Sequence, residues 1–144
     1  MGEHTFEWLS EQIVRGSRDA IMFSDARGII RLWNAGAEEM FGYSAEEAMG
    51  QSLDLIIPEN LRARHWEGYF RVMETGVTKY GKELLSAPGL CRDGSRKSLE
   101  FSMIILRDRE EILGTASVVR DVTTRWEKEK ALKERLKQLE ASNV

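Results

Sequence analysis

Between residues 97 and 106, Leu99, Phe101, Met103 and Ile105 fall at every second position, with polar or mixed residues between them. A period of two belongs to a strand with one face covered and the other turned away, so this stretch requires a covering layer from elsewhere in the chain. Two further β-like segments flank it, at about 80–87 and 113–121. The turns between them, at 91–95 and 108–111, carry the Asp and Gly residues of a meander of antiparallel strands.

The covering layer comes before them. Apolar runs from Ala20 and from Gly28 to Trp33 flank Asp25, Ala26, Arg27 and Gly28, which reads as a first hairpin. Asn34 then suits the N-cap of a helix over 35–41 that Gly42 stops. Ser44 and Glu47 form a capping-box pattern for a second short helix toward Gly50. Pro58, Glu59 and Asn60 open a longer helix closed by Gly76. Two strands, several helices and three strands in that order predict an α+β domain, with a five-stranded antiparallel sheet covered on one face.

Both ends carry further helices. Phe6, Leu9 and Ile13 lie at helical spacing in an N-terminal amphipathic helix within 1–16. Residues 124–144 begin with Thr124 and Glu127 at capping-box spacing, and Leu132, Leu136 and Leu139 form a thin apolar seam. Such a seam suits a two-helix coiled coil better than a globular core. The organisation is therefore helix 1–16, domain 17–123 and helix 124–144, with both helices expected to support a homodimer.

Composition excludes several function classes. The chain has 144 residues, enough for one domain with appendages. A net charge of −3 over mixed signs offers no basic stripe for a phosphate backbone, so nucleic-acid binding is not expected. No run approaches the roughly 18 apolar residues of a spanning helix, and the start of the chain lacks a signal-peptide pattern. With a single cysteine, Cys91, read as a bystander on its turn, these features predict a cytoplasmic module. Enzyme chemistry lacks its parts: there is no Gly-rich phosphate loop, and no Ser or Cys has an evident base.

The order of elements and its punctuation resemble the PAS family over roughly residues 10–124. The signposts are Trp33-Asn-Ala-Gly-Ala37, Phe41-Gly-Tyr43-Ser44, Glu46 and Glu47 with Met49 and Gly50, Arg92-Asp-Gly-Ser95, and Arg120-Asp-Val-Thr123. The resemblance implies a sensory domain that responds to something held between sheet and helices. It also implies that the domain passes strain to a C-terminal signalling helix and to an effector such as a histidine kinase.

The residues themselves nominate the site. On the helix before Gly76, Leu61, His65, Gly68, Tyr69 and Val72 fall on one face at the helical step of about 100°. That face is expected to meet the Leu99, Phe101, Met103, Ile105 surface, with His65 placed to ligate a flat cofactor and Gly68 to admit it. Trp66 lies off this stripe. The helix also resembles that of haem-containing oxygen-sensor PAS domains of nitrogen-fixation histidine kinases, through Arg62, Arg64 and His65, then Met73 to Gly76, ungapped to Arg92. By that resemblance His65 is the ligand of haem b iron, Arg71 contacts a propionate, and Phe101 and Met103 form the distal wall. Met103 is a further candidate for the sixth ligand. Leu85, beside Leu84, stands where those sensors place an oxygen-binding arginine, which leaves carbon monoxide, nitric oxide or redox state as signals. A small organic ligand, or a ligand-free dimerisation module, remains the alternative reading.

Overall fold

A computed structural model describes residues 3–78 and 83–143. The chain runs α1 (Phe6–Gly16), β1 (Ala20–Asp25), β2 (Ile30–Trp33), α2 (Ala35–Phe41), α3 (Ala45–Ala48), two 3-10 turns (Leu53–Ile56 and Glu59–Leu61), α4 (Arg62–Thr75), β3 (Leu85–Leu90), β4 (Arg96–Asp108), β5 (Glu111–Asp121) and α5 (Thr123–Ser142). All strand pairings are antiparallel, in the order β2-β1-β5-β4-β3. The expected α+β fold is thus the observed one. The beginning of the segment read at 80–87 lies partly outside the described residues.

Directly opposed residues share a face of the sheet, so the register defines its inner surface row by row. Leu85, Phe101, Val119 and Ala20 form one row across β3, β4, β5 and β1. Met103, Ser117, Met22 and Trp33 form the next, and Ile105, Thr115, Ser24 and Ile30 the third. In all three rows the members from β1 and β2 are buried. Leu85, Phe101, Met103, Ser117 and Ile105, towards β3 and β4, are only half-buried. The core is therefore sealed on one side and partly open on the other.

Asn34 holds the sealed side together. As N-cap of α2 its side-chain oxygen accepts from Ala37 N at 2.9 Å and from Ile21 N at 2.8 Å. Its amide donates to Val14 O at 2.8 Å and Asp19 O at 3.0 Å, which ties the end of α1 to the first hairpin. That tether matters because α1 has no buried residue and a helix of its length is marginal alone. Trp33 closes the same corner, 5% exposed, with its indole N–H donating to Tyr43 O at 3.0 Å.

Local expectations met several corrections. The helix read as opening at Pro58 is divided: Pro58 is buried and precedes a 3-10 turn, and α4 proper begins at Arg62. No Thr124–Glu127 capping box forms. The helix starts one residue earlier, and Thr123 Oγ1 instead donates to Asp121 Oδ1 at 2.5 Å and accepts from Ser98 N at 2.9 Å. Cys91 is no bystander: it is 6% exposed, its thiol 3.5 Å from Met40 O, because the turn it begins folds back onto the end of α2.

Replacing Asn34 by Ala removes the α2 cap and leaves buried backbone N–H groups without an acceptor. Asn34→Ala is expected to lower unfolding free energy by about 2–4 kcal/mol, measured by urea titration. A loss within error would show that these bonds contribute nothing net.

Candidate functional site

The candidate site joins α4 to the half-open rows of β3, β4 and β5: Tyr69 lies in the core cluster, against which Met73 of α4 and Phe101 of β4 both pack. Tyr69 sets where α4 sits. It is 7% exposed, and its hydroxyl lies 2.9 Å from Ser24 Oγ and donates to Asp25 O at 2.5 Å. Ser24 Oγ is in turn 3.4 Å from Thr115 Oγ1, so three buried hydroxyls link helix, β1 and β5. Burial pushes the Tyr69 phenol above its ordinary pKa, and the Ser24 bond opposes this only in part.

One turn earlier, His65 packs its ring edge-on to Trp66, centroids 4.7 Å apart, and 5.7 Å from Tyr69. Its Nδ1 is buried and has no hydrogen-bond partner. Burial lowers the imidazole pKa, and the nearby Asp54 carboxylate opposes this in part. The neutral ring is therefore favoured at neutral pH, with an Nδ1 that the surrounding side chains leave unpaired.

Trp66 lies on the core side of α4, contrary to its expected place off the stripe. Its ring covers Gly28, where a Cβ would lie 2.1 Å from the indole, and its N–H donates to Asp54 Oδ1 at 2.7 Å. Gly28, at φ 81°, thus serves the turn and the close approach together. Gly68 faces solvent with open space around it, so it does not admit a ring from the sheet side. The core-packed line of α4 runs through Trp66, Tyr69 and Met73: Tyr69, a member of the expected stripe, is buried, while Trp66 and Met73 are partly buried against the core.

The nominated residues fall into two groups. Leu85 and Phe101 are direct cross-strand partners, and Met103 follows on the same face, so these three form one apolar wall. His65 and Tyr69 belong to the helix above. Arg71 joins neither group: it is exposed, and its guanidinium pairs with Glu67 at 3.2 Å along the outer side of α4. Ser24, Thr115 and Ser117 were not nominated. They were marked in the sequence only as small hydroxyl residues at inward positions of otherwise apolar strands.

A family model described as the PAS fold matches residues 10–122. The chain belongs to the PAS family. It is a sensory signal-transduction module, whose own role is regulatory and not catalytic. The PAS chain is 45% identical over 47 residues to the sensor protein FixL of Bradyrhizobium diazoefficiens, a match covering 33% of this chain and 9% of that protein. It is 33% identical over 117 residues to an uncharacterized protein of Azorhizobium caulinodans, covering 81% of this chain and 16% of the relative. This PAS chain thus spans a small fraction of these relatives' length. Among solved structures, a PAS domain from Colwellia psychrerythraea superimposes with a TM-score of 0.72 over 83% of this chain and 99% of that one, at 23% identity, a likeness of fold alone. No helix among the described residues of this PAS domain is long and apolar enough to cross a membrane.

The lowered pKa of His65 has a definite sign. A base that protonates less readily folded than unfolded binds fewer protons in the native state, so stability falls as pH drops through the unfolded value of about 6.5. The wild-type domain is expected to lose stability between about pH 7.5 and 5.5, and His65→Gln to flatten that slope, read from urea midpoints across the range. An unchanged slope in the variant would mean that the imidazole is not desolvated in the fold.

Proposed function

We propose that this PAS domain senses a small molecule held between α4 and the β3–β4 side of the sheet. The leading ligand is haem b on His65. The observation that supports the reading is the buried, unpartnered Nδ1 of His65, whose imidazole is held towards the neutral form by burial, in a domain whose β3–β4 rows are an only half-buried apolar wall. Histidine fits the iron, while Leu85, Phe101 and Met103 fit the edges and faces of a porphyrin, with Met103 available as sixth ligand. Arg71 does not fit as propionate partner, since its guanidinium is turned outward onto Glu67. When bound, haem supplies an iron centre open to a diatomic gas or to a change of oxidation state. With Leu85 offering no hydrogen-bond donor, carbon monoxide, nitric oxide or redox state suits the wall better than oxygen.

The organic-ligand reading is favoured by Ser117, whose half-buried hydroxyl offers a polar contact within the same wall. In either case the output runs through α5 to an effector such as a histidine kinase, in the cytoplasm. Phe6 at 81%, Ile13 at 67% and Leu132 at 69% exposure present apolar side chains on α1 and α5 that a second copy would cover, so the working unit is a homodimer.

The test is the visible absorption spectrum of the domain purified from haem-supplied cells and after direct haem titration, beside His65→Ala. A Soret band in the wild type, lost or strongly shifted in the variant, is the expected result. Its response to carbon monoxide, nitric oxide and oxygen then identifies the signal. No band in either protein would reject haem and leave the organic-ligand reading.

A further inference from the structure

The inward alternation of β4 does not end at Ile105. Leu106 pairs with Gly114 and Arg107 with Ile112, so the irregularity is an extra residue, Leu113, on β5. The alternation on β4 therefore continues, and Arg107 follows Phe101, Met103 and Ile105 on the face beneath α4. Its position agrees: Nη2 donates to Gly76 O at 2.6 Å, just past the last turn of α4. Gly76 has φ 69°, a backbone conformation that favours glycine, and a Cβ there would lie 2.5 Å from Nη2, so the exposed guanidinium rests directly against this backbone.

Arg107 is also underemployed. Arg31, Arg71, Arg92, Arg120 and Arg125 each pair with a carboxylate, whereas Arg107, like Arg18, Arg27, Arg64, Arg96, Arg109 and Arg135, forms no ion pair among the described residues. What sets Arg107 apart is its place at the end of α4, where its bond goes to a neutral carbonyl. A guanidinium presents five N–H donors in a planar fork that matches a carboxylate with two parallel bonds, stronger than one bond to a peptide oxygen.

We propose that Arg107 is the anion-receiving residue of the site. The ligand carries a carboxylate that draws the guanidinium off Gly76 O, while its apolar body lies along Ile105, Met103 and Phe101. This rests on the ligand site proposed above and narrows its occupant to a flat apolar molecule with an acidic group, whether a porphyrin propionate or a free organic acid. Binding then also removes a donor from the C-terminal end of α4, so occupancy is felt by the helix as well as by the strand.

The test compares two acids with their esters: haem with haem dimethyl ester, and naphthalene-2-carboxylate with its methyl ester. Each is titrated by absorbance or tryptophan fluorescence into the wild type, Arg107→Gln, Arg107→Lys and Arg71→Gln. The acid is expected to bind at least about tenfold more tightly than its ester in the wild type, a gap that closes in Arg107→Gln, narrows in Arg107→Lys and persists in Arg71→Gln. A gap for haem alone identifies propionates, one for the naphthoate alone identifies an organic acid, and either supports the proposal. A gap that survives Arg107→Gln, or that closes in Arg71→Gln instead, overturns it while leaving the ligand site standing. Failure of all four probes to bind the wild type overturns both.

Discussion

The height and tilt of α4 over the sheet depend on the buried hydroxyl of Tyr69, which reaches Ser24 Oγ and Asp25 O on β1. A buried phenol needs a partner, and these acceptors lie on the sealed side of the sheet. The helix is thus pinned where the core is already closed, with Trp66 locked over Gly28 beside it. Among the described residues no comparable hydrogen bond fastens α4 to the wall of Leu85, Phe101 and Met103, and a bond that reaches across from β4 is that of exposed Arg107 to Gly76. A helix held firmly along one side and lightly at the far end leaves room to vary where it is held lightly.

The same wall leads to the output. The start of α5 is fastened as much to β4 as to β5, from which it emerges. Val122 N donates to Ser98 O and Ser98 N donates to Thr123 Oγ1, each at 2.9 Å, while Arg125 reaches Glu100 Oε2 at 2.6 Å. Ser98 and Glu100 alternate with Leu99 and Phe101 along one strand, so a shift that repacks Phe101 changes the seats of the first turn of α5. A ligand can bias that junction only as far as its affinity differs between the two arrangements of the strand.

Much of this fold was legible in the residues. Alternation located β4, and the stops at Gly42 and Gly76 and the Ser44–Glu47 capping box appear as read, because each is a local interaction within a few residues. What stayed hidden depends on contacts far apart in sequence. The helical period assigns residues to a face but not to a depth, so His65 and Trp66 could not be ranked until Gly28 opened a seat for the indole. Cys91 looked like a turn residue because its partner, Met40 O, lies on a helix 51 positions earlier. The bond from Ser98 N to Thr123 Oγ1 was hidden for the same reason, since Ser98 belongs to another strand.

The two arginines show how resemblance and register can disagree. Arg71 was nominated because its position in an ungapped helix matches a family pattern, yet Glu67 lies one turn before it and the two side chains satisfy each other in solvent. Arg107 has no such neighbour within reach on its strand, and the alternation that marked Leu99 to Ile105 as inward includes it two positions further on. A screened surface pair contributes little and breaks at little cost. Even so, releasing Arg71 from Glu67 would leave it on the outer side of a helix whose inner line is Trp66, Tyr69 and Met73. Arg107 needs no change of face to meet a ligand beneath α4, only the exchange of one oxygen for another.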